Sequence, residues 1–292
     1  NGSLQAGDTT VPERSIPAGV ESGAKAISAG GSHNLILKAD GTLSGFGSNE
    51  YGQVPGVSGP VSSTHTFATG VRSMAAGLNH TAYVKNDGSL WTTGDGTSGQ
   101  LGTGDFSGQG FPVNVGQNVQ SVATGSYHTL IIDTAGNLWS TGDNSYGQLG
   151  DGTTQGRSLP TLVATNVREV VAGDAHSLFV RTDGTLWAMG DNSLGQLGDG
   201  TAVSRTTPVQ VAAGVQSIAA GAYHSFYVTT DGALWASGYN GYGELGDGTT
   251  ISRASFVPIA TEVKEVGAGF FHSLFVKTDA TLWVMGSNGS GR

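Results

Sequence analysis

The sequence predicts an all-β chain: a β-propeller of four-stranded blades, written as six repeats of about 48 residues and closed by an N-terminal strand that completes the last blade. Three observations carry that prediction. The segments GSHNLIL, LNHTAYV, SYHTLII, DAHSLFV, AYHSFYV and FFHSLFV place His33, His80, His128, His176, His224 and His272 at steps of 47, 48, 48, 48 and 48 residues. Every Trp of the chain (Trp91, Trp139, Trp187, Trp235 and Trp283) follows one of these histidines by eleven residues; the first repeat has Ser44 in that slot and Phe46 two residues on. A Gly-rich phrase also recurs in register, as GDNSYGQLGDGT at 142–153, GDNSLGQLGDGT at 190–201 and GYNGYGELGDGT at 238–249.

The fifth repeat shows the elements in order. SIAAG (217–221) is a short strand, and its small residues suit the innermost position, where blades crowd together. SFYVTT (225–230) alternates apolar and polar residues in the β manner. Asp231-Gly232 is expected to form a two-residue hairpin turn into ALWASG (233–238). After the Gly-rich phrase, SFVPIA (255–260) supplies the fourth strand. No helical periodicity interrupts the pattern.

The two ends look like halves of one blade. Arg14 falls in the slot of Arg157, Arg205 and Arg253, and 23 residues separate both Gly7 from Gly30 and Gly246 from Gly269. Residues 1–25 therefore read as the back of a blade whose front is residues 265–292, making 1–292 a single β-propeller domain. Such pairing hides two sheet edges that would otherwise invite aggregation. The rival expectation is a six-repeat piece of a longer array.

Composition excludes several classes. Gly supplies 49 of 292 residues, more than twice ordinary usage, without the Gly-X-Y period of collagen. Hydrophobic residues make up 37% and are evenly spread, unlike a disordered chain. With a net charge of −9 and no Lys/Arg run, the chain carries no footprint for nucleic acid or anionic lipid. No apolar run reaches the ~18 residues of a membrane span, so no membrane insertion is expected. The absence of Cys removes disulfides, thiol nucleophiles and Cys-zinc sites. Low Lys, high Thr/Asn/Gly and no Cys lean toward an extracellular or cell-surface protein, with the cytoplasm left open.

The blade pattern AAGxxHSLxVxxDGxLWxxGxNxxGQLGDGT resembles that of the regulator of chromosome condensation family over essentially the whole chain. The resemblance implies a β-propeller, typically of seven blades, and a protein-binding role; the founding member is an exchange factor for a small GTPase. The acidic, Cys-free, Gly-rich repeats are more similar to bacterial members, among them secreted β-lactamase inhibitor proteins, and TTVPERSIPAGVESGAKAI (9–27) resembles their inter-blade segments. In that branch, binding through aromatics of the loops is implied.

Residues that recur in every blade read as structure. Six equivalent histidines cannot converge on one metal when spread over successive blades, so each is expected to be buried and hydrogen-bonded to backbone. His65, outside the pattern, reads as part of a polar loop. GDGTSG (94–99) matches G-x-G-x-x-G but opens no helix, so no cofactor is expected. The Asp/Asn-rich loops lack the alternating ligand order of a calcium loop, and Asp and Asn also cap turns. The Trp row is expected to pack between blades. No unique acid, base or nucleophile constellation stands out, so no catalysis and no metal are expected.

Function is sought where the repeats depart from one another. The two residues before each histidine vary, as do the two before each GQLG-type phrase. In an up-and-down blade both pairs lie in loops at the same end. That end collects Tyr51, Tyr127, Tyr146, Leu194, Tyr223, Tyr242, Phe270 and Phe271. Exposed aromatics on loops held by a rigid scaffold are how binding surfaces are built. The expected function is thus a protein-binding module with an unidentified protein partner. The alternatives are a lectin-like propeller stacking sugars on these rings, a GTPase exchange factor or a hydrolase.

Overall fold

A computed structural model describes residues 19–288. The described residues form six antiparallel sheets in chain order. The first holds β1 (Ala24–Ala29), β2 (His33–Lys38), β3 (Leu43–Gly47) and β4 (Val61–Ala68); the second β5 (Val71–Ala76), β6 (His80–Lys85), β7 (Leu90–Gly94) and β8 (Gln109–Gly116). The third comprises β9 (Val119–Thr124), β10 (His128–Asp133), β11 (Leu138–Gly142) and β12 (Arg157–Ala164). The fourth is β13 (Val167–Ala172), β14 (His176–Arg181), β15 (Leu186–Gly190) and β16 (Arg205–Ala212). The fifth is β17 (Val215–Ala220), β18 (His224–Thr229), β19 (Leu234–Gly238) and β20 (Arg253–Ala260). The sixth has β21 (Val263–Ala268), β22 (His272–Lys277) and β23 (Leu282–Gly286) among the described residues. Every sheet runs in simple meander order, the blade of a β-propeller. Of residues 1–25, expected to complete the sixth blade, 1–18 lie outside the described residues, while Ala24 and Lys25 belong to β1 of the first sheet.

The chain divides into two compact units. Among the described residues, the first contains those up to Asp143 together with Gly156–Leu162; the second contains Asn144–Gln155 and those from Val163 on.

Blades pack through alternating faces of their strands. In the second unit, Phe226, Val228, Leu234 and Ala236 of the fifth blade meet Val263 and Phe275 of the sixth. Tyr227 and the half-buried Trp235 point the other way, onto Leu178, Val180, Leu186 and Ala188 of the fourth. In the first unit, Trp91 and Trp139 join the equivalent clusters with the preceding blade. Each fully buried Phe or Leu contributes about 1.5–3 kcal/mol, so the period-two alternation of these short strands is the main source of stability. The indole rings keep an outer edge open: the Lys85 ammonium lies 4.9 Å from the Trp91 ring and the Arg181 guanidinium 4.4 Å from Trp187.

His33, His80, His176 and His224 are buried, but the partner of each Nε2 is a hydroxyl rather than backbone. The His176 imidazole Nε2 lies 2.9 Å from the hydroxyl of Ser225, the residue after the next repeat's histidine. That hydroxyl donates its proton to the Gln196 carbonyl at 2.7 Å. It can therefore only accept from the ring, which places the imidazole proton on Nε2. His33–Thr81–Gln53 and His80–Thr129–Gln100 repeat the relay in the first unit. The ring needs room: a Cβ on Gly77 would stand 2.2 Å from His80 Cε1, and one on Gly173 equally close to His176, which is why the AAG run ends in glycine.

Two local readings are corrected. The Asp231-Gly232 turn is not the two-residue type. Gly232 N–H donates to the Thr229 carbonyl, and Gly232 alone takes a positive φ (83°), so a three-residue loop ends in a glycine bulge. Asp231 is thereby spared the left-handed conformation a two-residue turn would demand. His65 lies in β4, paired with Gly45, rather than in a loop. This outer strand meets a neighbour only through β3, so its open side accepts polar residues.

Candidate protein-interaction surface

Each blade joins its strands by three loops. The first, before the histidine strand, and the third, the Gly-rich phrase, leave the same end, and a backbone bond fastens one to the other. Asp191 N–H donates to the Ala175 carbonyl at 2.8 Å, and Tyr239 N–H to that of Tyr223 at 2.8 Å. The third loop is knit from within. Asn192 Nδ2 donates to Asp199 Oδ1 (3.0 Å) and to the carbonyls of Thr201 (3.1 Å) and Val203 (3.2 Å), and its Oδ1 accepts from Leu197 N–H. Asn240 does the same with Asp247, Thr249 and Ile251. Arg205 and Arg253 close these loops on Asp199 and Asp247 at 2.6 Å. Hydrogen bonds from Thr249, Arg253 and Asn240 outweigh partial burial and hold the Asp247 carboxyl down to about 2. The Asp and Asn side chains are thus spent on the loops themselves. Among the described residues, no group of three or more His, Asp or Glu could hold a metal.

On this rigid base the second unit gathers aromatic rings. Tyr223 lies 5.6 Å from Phe270 and 6.3 Å from Phe271, ring centre to ring centre. Phe271 lies 5.6 Å from Tyr242, and Phe270 and Phe271 are 4.6 Å apart. Four of the residues expected from sequence therefore form one cluster. Tyr242 (56% exposed) and Phe270 (43%) form its open surface, while Tyr223 and Phe271 are half-buried beneath them. Tyr146 and Leu194 are exposed on third loops of the same unit. In the first unit, Tyr51 is exposed on a third loop and Tyr127 on a first loop.

A fifth ring escaped the sequence reading. Tyr239 contacts Tyr242 at 6.2 Å and Phe271 at 6.3 Å. Its slot holds Asp95, Asp143 and Asp191 in earlier repeats, so the change to GYNGYGELG was the available signal. Carboxylates surround the cluster. Burial, then the charge and hydrogen bond of Asp174, and then Asp191, raise the Tyr223 phenol above its ordinary value. Burial, Tyr242 and the Glu244 charge raise that of Tyr239.

Four-stranded meander blades tied loop to loop, with aromatics concentrated at one blade end, define a β-propeller protein built to present loops. Regulator of chromosome condensation (RCC1) repeat models match residues 24–53, 71–100, 119–148, 167–196, 215–244 and 263–292, and a second model of the same repeat matches 87–132, 135–180 and 183–228. The chain belongs to the regulator of chromosome condensation repeat family. No curated protein matches its sequence. Among solved structures it is similar to human WBSCR16, with 24% identity over 86% of this chain and 71% of that one, TM-score 0.78. Yeast RCC1 (Prp20) bound to Kap60 has 21% identity over 91% and 70%, TM-score 0.80. Prp20p of Saccharomyces cerevisiae, described with its binding to Gsp1p and histones, has 22% identity over 91% and 72%, TM-score 0.78. At these identities the likeness is one of fold.

Proposed function

We propose that this chain is a non-catalytic protein-binding module that seats its partner on the loop end of the blades, centred on Tyr223, Tyr239, Tyr242, Phe270 and Phe271. The observation that supports this reading is the ring cluster itself. Its aromatics interlock edge to face on loops fastened by backbone bonds, so little ordering entropy is lost on binding. Large rings at the centre of an interface typically cost ~2 kcal/mol or more when truncated. Tyr146 and Leu194, exposed on third loops of the same unit, extend the surface to other blades. The likeness to the bacterial inhibitor branch, in which loop aromatics are implied to bind a protein, supports the same reading. With the low Lys content and absent Cys, it also supports a partner outside the cell.

The test is affinity capture with the intact chain and with a Tyr223→Ala/Tyr242→Ala/Phe271→Ala variant of unchanged melting temperature. A protein that the first retains and the second loses, and that binds again when purified, supports the reading. Equal capture by both overturns it.

A further inference from the structure

The fifth repeat departs from the fourth at two slots that touch one another. In the fourth, Gln196 Oε1 accepts from Leu194 N–H at 2.9 Å, and its Nε2 donates to Asp191 Oδ2 at 2.8 Å. In the fifth the same slots hold Glu244 and Tyr239. Glu244 keeps the first bond, its Oε2 accepting from Tyr242 N–H at 2.9 Å. Its Oε1, where the amide donor would be, has no hydrogen-bond partner among the described residues, and the side chain is 0% exposed. A buried carboxylate oxygen without donor or counter-ion is costly. In the fourth repeat these two slots are in contact, and in the fifth the Glu244 charge acts on the Tyr239 phenol of the ring cluster.

Among the described residues, the unit supplies no unpaired cation at this end of the blades. Among the described residues of this unit, Arg168, Arg181, Lys264 and Lys277 sit at the opposite ends of their blades, at the starts of β13 and β21 and the ends of β14 and β22. Arg205 and Arg253, at the loop end, are bound to Asp199 and Asp247. Asp174 and Asp191 add negative charge beside Tyr223. Tyr239, Tyr242 and Phe271 form a triangle with sides of 6.2, 6.3 and 5.6 Å, their planes inclined at 62–70° to one another. Mutually inclined rings over a buried negative charge fit a cation, whose attraction to aromatic faces strengthens on desolvation.

We propose that Tyr239, Tyr242 and Phe271, over the Glu244 carboxylate, form a pocket for a cationic side chain, arginine or lysine, presented by a partner protein. This rests on the protein-binding reading and adds the chemistry of the central contact.

The experiment titrates N-acetyl-arginine amide, N-acetyl-lysine amide and the neutral N-acetyl-norleucine amide into the intact chain. It is read by NMR shifts of the Tyr and Phe ring protons. Glu244→Gln installs the residue that the first four repeats carry in this slot (Gln53, Gln100, Gln148 and Gln196), so the fold is retained; melting temperature verifies this. Millimolar binding of a cationic amide, at least tenfold weaker in Glu244→Gln and absent for norleucine, supports the proposal. No cationic binding, equal norleucine binding, or unchanged affinity in Glu244→Gln overturns it. None of those results touches the protein-binding reading, which fails only if the ring truncations leave partner capture unchanged.

Discussion

The imidazole Nε2 of His176 donates to the hydroxyl of Ser225, forty-nine residues on in the chain and one blade away, at 2.9 Å. With both residues fully buried, the bond ties the fourth blade to the fifth inside the core. Ser225→Ala leaves an imidazole N–H without an acceptor and is expected to cost roughly 1–3 kcal/mol. Ser225→Thr, the residue used at Thr81 and Thr129, should cost much less. Urea unfolding of the two variants reads the difference.

The same burial makes stability depend on pH. Burial depresses His33, His128 and His224 to about 4; burial and neighbouring histidines take His80 to about 3. The ordinary value, near 6.5, applies to the unfolded chain. Between pH 6.5 and about 4 the unfolded state therefore binds more protons, and stability falls as pH falls. The stabilisation is complete above about pH 6.5. Melting temperature should drop steadily from pH 7 to 4.5, less steeply in His80→Phe; a flat profile would contradict the buried-neutral assignment.

Glu262 adopts φ 61° in the turn slot that other repeats fill with Gly70, Asn118, Asn166 and Gly214. A long side chain pays a backbone penalty there that Asn largely avoids. Glu262→Asn should therefore stabilise the chain by about 0.5–1 kcal/mol, a rise in melting temperature readable by calorimetry.

Asn192 spends both donors and its acceptor within its loop. Asn192→Ala strips several buried partners at once, with an expected loss of about 2–3 kcal/mol. Proteolysis should then cut the 193–204 loop first.

The period was legible in sequence because His and Trp mark fixed positions in every blade, and buried positions tolerate little change. The strand pairing followed from those marks. The Asp231-Gly232 turn was misjudged because the dipeptide fits both turn types, and only the backbone conformation of Asp231 separates them. His65 was placed in a loop because β4 is polar enough on its open side to read as one. At the site, the variable slots located Tyr223, Tyr242, Phe270 and Phe271, but could not show that these rings pack edge to face against one another. Tyr239 was hidden by its place in a repeating phrase, and its proximity to Glu244 emerged only from the contact between the equivalent slots of the fourth repeat.

The measurement closest to the central claim is the affinity of a captured, purified partner for single variants at the two ends of the blades. Tyr242→Ala and Phe271→Ala should each weaken binding at least tenfold with little change in melting temperature, as expected for central anchors worth ~2 kcal/mol. Asp183→Ala and Asp231→Ala, in the turns at the opposite end, should bind as the unaltered chain does. If the turn variants abolish binding while the ring variants retain it, the partner sits at the other end and the rings serve only to cover the loops.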